Sequence, residues 1–222
     1  MFEQLEPVSL PERAANALKD AFFSGVLKPG NAIVEREIAR QMKVGTPVVR
    51  EALISLQEQG FVRRVANTGT FVTQFNADEV RQLYMLRVEL ELLAFQWARA
   101  RISERERSEL KQIVDTLVEA GDSGNRRKFL ERDYFFHQRC WELSGNVYLA
   151  DTLNRLMAPL FAFVVMASGA PLTGSMAREH YALVDALCCL EEPEFSDIIR
   201  KILNSIAHRW LSRMNPMTTG AS

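Results

Sequence analysis

Residues 34–73 read VEREIARQMKVGTPVVREALISLQEQGFVRRVANTGTFVT, and two changes of pattern inside them decide the fold. Val34 to Met42 is a short helical pattern with Ile38 and Met42 on one side. Val44-Gly45 breaks it. Thr46 is placed to cap the next helix, with Pro47 at its first position, and Val49, Leu53 and Leu56 form an apolar stripe ending at Gly60. The period then changes. Phe61–Val65 and Thr70–Thr73 are rich in β-formers and flank Ala66-Asn67-Thr68-Gly69, which reads as a small hairpin. Upstream, Ser9-Leu10-Pro11-Glu12 is a capping box with proline in the first turn. Ala15, Leu18, Phe22 and Val26 follow at helical spacing, and the helix should end near Gly25, before a turn at Lys28-Pro29-Gly30. Three helices and a hairpin predict a winged helix-turn-helix.

Downstream only helical pattern follows. The spacing predicts helices over 76–100, opened by Asn76 and Glu79, from a second capping box at Ser103-Glu104-Arg105-Glu106 to just before Gly121, and over 126–143, 147–167, 174–190 and 194–214. They are separated at Gly121-Asp122-Ser123-Gly124, Ser144-Gly145-Asn146, Gly169-Ala170-Pro171 and Pro193. The fold expected is mainly α: a winged helix-turn-helix domain over 1–75, then an antiparallel bundle of six helices over 76–222. The last residues, Met217–Ser222, should fray.

Composition narrows the function. With 47% hydrophobic and 25% charged residues over 222 positions, the chain is globular rather than disordered or fibrous. Cys140, Cys188 and Cys189 have no metal-ligand spacing and do not suggest a disulfide framework, and the start MFEQLEPVSL has no secretory signal pattern, so a cytoplasmic protein is expected. Leu156–Ala167, the most apolar stretch, is too short for the roughly 20 residues of a membrane span and contains Pro159. It reads as a buried core helix, with no membrane partner. Trp97, Trp141 and Trp210 read as core or interdomain packing.

Net charge is -1, yet between residues 28 and 64 seven cations face four anions. The surplus sits on the helix-turn-helix and wing. A recognition helix enters the major groove with its N-terminal residues, so Thr46, Pro47, Val48 and Arg50 would face double-stranded operator DNA. Arg36 and the wing tip, Thr68 and Gly69, would meet phosphate or the minor groove.

The chain has only three histidines. Asp133 and His137, at i and i+4, share one helix face. His180 follows Glu179 in a later helix, and His208 lies in the last, four residues after Asn204. Three imidazoles and a carboxylate from three helices can converge inside a bundle as a site for a divalent metal ion, Zn, Ni, Mn or Fe. The same Asp-x-x-x-His spacing also arises in helix ion pairs, and spacing leaves both readings open.

Several runs carry a resemblance. Gly25-Val26-Leu27-Lys28-Pro29-Gly30, Glu35-Arg36-Glu37-Ile38-Ala39, Val49-Arg50-Glu51-Ala52-Leu53 and Gly69-Thr70-Phe71-Val72 resemble the reading head of GntR-family transcriptional regulators. That family commonly carries Ser-Arg-Thr-Pro before the Val-Arg-Glu-Ala-Leu run. Here Gly45-Thr46-Pro47-Val48 stands there, and Thr46 replaces an arginine. Asp133-Tyr134-Phe135-Phe136-His137, Ser144-Gly145-Asn146, Glu179-His180 and His208 are similar to the FCD domain of the FadR branch in its metal-binding form. Six helices would fit its shorter, VanR-like members. The resemblance implies Asp133, His137, His180 and His208 as metal ligands. It also implies Arg87 as an arginine facing the pocket of a small carboxylate effector, with an ion pair to Glu91 as the other reading. Asn204, on the face of His208, would touch effector or metal-bound water, or else a neighbouring backbone.

Together these features imply a homodimeric, effector-responsive regulator, most simply a repressor. A mononuclear metal-dependent hydrolase or hydratase built on the Asp/His set is the alternative, and it leaves the first 75 residues without a role.

Overall fold

A computed structural model describes residues 9–168, 172–189 and 191–214. The expectations for the start of the chain, the Gly169-Ala170-Pro171 break and the end Met217–Ser222 lie outside the described residues, as do the side chains of Cys189 and Trp210. The chain divides into two compact units, Met1–Gln74 and Phe75–Ser222.

In the first unit, α1 (Leu10–Phe23) starts where Ser9 Oγ accepts from the Glu12 amide at 3.3 Å. α2 (Glu35–Met42) and α3 (Thr46–Glu58) form the helix-turn-helix. Gly45, not Thr46, is the N-cap of α3. Its backbone is extended (φ -71°, ψ 147°), no side chain caps the helix, and Thr46 and Pro47 already lie in the first turn, where a missing proline N–H costs nothing. β2 (Val62–Val65) and β3 (Gly69–Val72) pair antiparallel, Val62 opposite Val72 and Val65 opposite Gly69. One strand was not expected: β1 (Ala32–Ile33) joins the other edge of β3, giving the order β1-β3-β2. Two residues are too few to display a period of two. Leu18, Phe22, Val49, Leu53, Leu56 and Phe61 are buried together, with the Phe22 and Phe61 rings stacked at 5.5 Å. Burying the apolar stripe of α3 leaves its other face outward.

In the second unit, α4 (Ala77–Arg99) and α5 (Glu104–Asp122) both open on reciprocal capping boxes, Asn76 with Glu79 and Ser103 with Glu106. α6 (Arg126–Leu143), α7 (Val147–Ser168), α8 (Gly174–Ala177), α9 (Glu179–Cys189) and α10 (Glu194–Met214) follow. Phe95, Leu110, Val114, Phe136, Leu183 and Phe195 lie in its core.

Three expectations need correction. The single helix expected over 174–190 breaks at Arg178, because the Ala177 carbonyl accepts from His180 Nδ1 at 3.0 Å. Seven helices rather than six therefore occupy the described residues of this unit, and the helix count no longer favours the shorter, VanR-like branch. Gly121, expected as a stop, lies inside α5. It is there for close approach: a Cβ on Gly121 would run into the Thr173–Gly174 backbone, and one on Gly174 into Asp122. Trp97 is 39% exposed and is not a core residue, whereas Trp141 is fully buried. No described helix is long and apolar enough to cross a membrane.

Candidate metal centre and DNA-reading face

On the first unit, Arg36, Pro47, Arg50, Thr68 and Gly69 are exposed, and Thr46 and Val48 half-buried. Burial of Val49 and Leu53 turns the other side of α3 outward. Arg50 is not a loose cation. Its Nε and Nη2 donate to Glu35 Oε2 at 3.1 and 3.0 Å, and Arg64 reaches the other oxygen of Glu35 at 3.6 Å. One glutamate of α2 thus orients an arginine from α3 and one from the wing. Arg40 pairs with Glu37. Arg36, Lys43 and Arg63 have no ion-pair partner among the described residues, so the positive surplus stays on this face.

In the second unit, α4, α6 and α9 bring Arg87, Asp133, His137 and His180 to one partly open pocket of about 40 Å³. Its wall is completed by Phe161, Met176, Glu179, Ile206 and Arg209 among others. Asp133, His137 and His180 each offer a ligand atom within 4.8 Å of the other two. His137 and His180 are 1% and 5% exposed.

The hydrogen bonds fix the tautomers. A carbonyl only accepts, so the contact to Ala177 puts the proton of His180 on Nδ1 and leaves the Nε2 lone pair for the cavity. Nε2 is buried, stands 3.0 Å from Asp133 Oδ1, and has no aligned hydrogen-bond partner. Two acceptors that close are repulsive unless a proton or a cation lies between them. A guanidinium only donates, so Arg87 Nη2, 3.2 Å from His137 Nε2, assigns that nitrogen its lone pair as well. His137 Nδ1 then faces Glu91 Oε1 at 2.9 Å, at ion-pair distance but off the direction of its N–H. A carboxylate oxygen and two imidazole nitrogens converging on one buried point suit a borderline divalent cation, so the residues fit a metal ion.

Glu91 organises the shell behind. It accepts from Arg87 Nε at 2.8 Å and from Trp141 Nε1 at 2.9 Å. Burial pushes its carboxyl upward, but Arg87 and His137 outweigh that and bring it to about 2. Burial lowers His137 and favours the neutral imidazole a metal needs. Asp133 is likewise held below its usual range, burial being overcome by His180, His137 and Arg87.

Two of the residues expected here are elsewhere. His208 and Asn204 are exposed on α10. The inward stripe of that helix is Phe195, Ile199, Leu203 and Ala207, all buried, and a step of one residue from Ala207 turns His208 outward. α10 presents Ile206 and Arg209 to the cavity instead. Spacing alone places Asn204 and His208 on one face and does not say which face is buried. It also misses Arg209, whose Nη2 donates to both Glu179 oxygens at 2.6 and 2.9 Å. Arg87 unites both readings: it pairs with Glu91 and also lines the cavity, stacked 4.7 Å over Phe161.

Comparison with known proteins agrees with both units. Residues 10–72 match the model of "Bacterial regulatory proteins, gntR family" and residues 82–205 that of the FCD domain. The chain is 26% identical over 167 residues to the uncharacterised HTH-type regulator YdhC of Bacillus subtilis, covering 74% of this chain and 75% of that one. It is 28% identical over 163 residues to a probable D-xylose utilization operon repressor of Paenarthrobacter nicotinovorans, covering 73% and 72%. Among solved structures, E. coli McbR/YncC shares the fold with a TM-score of 0.78 at 20% identity, over 95% of this chain and 99% of that one.

Proposed function

The chain belongs to the gntR family of bacterial regulatory proteins and is a transcriptional regulator with an FCD effector-binding domain, not an enzyme; from that premise we propose how its two units work. The first unit reads operator DNA in the cytoplasm with the outward face of α3, Thr46, Pro47, Val48 and Arg50, supported by Arg36 and the wing tip at Thr68 and Gly69. The second holds a divalent metal ion, Zn, Ni, Mn or Fe, on Asp133, His137 and His180, and takes up a small carboxylate beside it. Repression is the sense carried by the D-xylose relative, and it is the sense proposed here. A two-fold homodimer would match the symmetry of an operator.

One observation carries the metal reading: the buried His180 Nε2, with no aligned partner, beside Asp133 and in reach of His137. When bound, the ion supplies a Lewis-acidic positive charge that attracts an anion. Charge balance then selects the effector. Around the cavity Asp133, Glu91 and Glu179 face Arg87 and Arg209, one negative charge in excess, with both imidazoles neutral as ligands. A divalent cation reverses that to one positive charge. A monocarboxylate neutralises it, whereas a dicarboxylate overshoots, and without the ion an anion meets a net negative site. Arg87 gives up the His137 lone pair when that nitrogen serves as a ligand, which frees Nη2 to donate to a carboxylate. The cavity of about 40 Å³ holds little more than an ion and a water or two. An organic acid can place its carboxylate there, with the rest of the molecule reaching along the partly open pocket lined by Met176, Ile206 and Arg209.

The test begins by selecting bound duplexes from a random DNA pool. Anisotropy titrations then follow with native and chelated protein, against panels of mono- and dicarboxylates. DNA affinity should fall with a monocarboxylate only while metal is present. Equal release from chelated protein would remove the metal from the effector site, and failure to select any duplex would remove the reading head.

A further inference from the structure

Two ion pairs border the pocket of the second unit at different depths. Arg87 and Glu91 form the inner one, with side chains 4% and 0% exposed. Arg209 on α10 and Glu179, the first residue of α9, form the outer one, 24% and 39% exposed. Phe129, Phe161, Met176 and Ile206 supply the apolar lining of the same pocket. The inner arginine and the metal ligands serve the carboxylate head of an effector, whereas the outer pair has so far contributed only its charge.

The outer pair has hydrogen-bonding capacity to spare. Arg209 engages both Glu179 oxygens through Nη2 alone, at 2.6 and 2.9 Å. Its Nε and Nη1, and the remaining lone pairs of Glu179, have no hydrogen-bond partner among the described residues. A ligand lying over such a pair strips water from both ions. A methyl end would leave those groups unsatisfied. A second carboxylate would compete with Glu179 for the guanidinium and leave one of two like charges stranded; an ammonium would do the same to Arg209. A hydroxyl or a primary amide disturbs neither ion, since each can donate to the carboxylate and accept from the guanidinium.

We propose that Glu179 and Arg209 determine specificity for the far end of the effector, admitting a monocarboxylate that ends in an uncharged hydroxyl or amide and turning away a second charge of either sign. The proposal rests on the pocket being the metal-assisted carboxylate site described above and adds the other end of its ligand. Charge balance supports it. With a divalent ion bound, the pocket carries one positive charge, which the head carboxylate cancels. Removing the Glu179 charge makes room for a second anion, and removing the Arg209 charge makes room for a cation. Selectivity at the far end is therefore reversible one residue at a time.

Calorimetric titration of zinc-loaded full-length protein tests this. The probes are hexanoate, its ω-hydroxy and ω-amino derivatives, adipate and the monoamide of adipate, with their shorter homologues in parallel. The proteins are wild type, Glu179→Gln and Arg209→Gln, each checked for zinc by elemental analysis and for folding by circular dichroism. Wild type should bind the hydroxyl- and amide-ended acids roughly tenfold or more tighter than the other three. Glu179→Gln should bring adipate to the top of its order, and Arg209→Gln the ω-amino acid. A wild type that prefers the methyl end or either second charge overturns the proposal, as does an order that neither variant changes. Binding of none of the acids by any of the three proteins overturns the carboxylate reading itself, and this proposal with it. Arg209 lies on a different helix from the metal ligands, so its variant decides the matter even where Glu179→Gln, next to His180, fails to hold zinc.

Discussion

Arg50 and Glu91 show how differently one ion pair can matter. The Arg50–Glu35 pair is solvent-exposed and worth no more than about 1 kcal/mol to folding, so its arginine is available to DNA phosphate or a base edge at little cost. Arg50→Ala should leave the melting midpoint nearly unchanged and weaken operator binding by about 1–3 kcal/mol, measured by anisotropy against a selected duplex. Full-strength binding by the folded variant would take Arg50 out of the contact. Glu91 is the opposite case. It is fully buried, ionised, and shared by Arg87, His137 and Trp141. Glu91→Ala strands the Arg87 cation in the interior and should cost about 3–5 kcal/mol, read by denaturant unfolding. A loss below about 1 kcal/mol would mean that water or another carboxylate takes over. The i, i+4 pairing of Arg87 with Glu91 was legible from spacing alone. Its meeting with His137, fifty positions away, was not, since nothing local encodes which helix faces which.

Among the elements, those with strong local signals were read directly. The capping boxes at Asn76 and Ser103, the proline in the first turn of α3 and the β-rich wing each act within a few residues, and the helices and hairpin fall where those signals put them. The misreadings have nonlocal causes. β1 exists because β3 offers an open edge, and α9 begins anew because His180 takes the Ala177 carbonyl. Gly121 looked like a stop because glycine usually ends a helix, yet here it lets α5 approach the start of α8. Gly121→Ala distinguishes these roles. At an open helix position alanine would gain about 1 kcal/mol of propensity. Against the Thr173–Gly174 backbone it should instead lose about 1–3 kcal/mol to overpacking, seen as a lowered melting midpoint. A raised midpoint would contradict the close approach.

For the whole molecule, two units divide the labour: one presents unpaired cations and a polar helix start outward, and the other gathers buried charge around a small pocket. A metal ion held there would add to stability, since side chains on α6 and α9 are drawn together only in the folded unit. Sequence likeness pointed to four ligands; the inward phase of α10 leaves three, with His208 in solvent. The most direct measurement is the metal content, by elemental analysis, of full-length wild type, His180→Ala and His208→Ala after supply of Zn, Ni, Mn or Fe(II) and removal of excess. The account predicts one tightly held ion per chain in wild type and in His208→Ala, and little or none in His180→Ala. A wild type that retains no ion, or a His208→Ala variant that loses it as completely as His180→Ala, would contradict it.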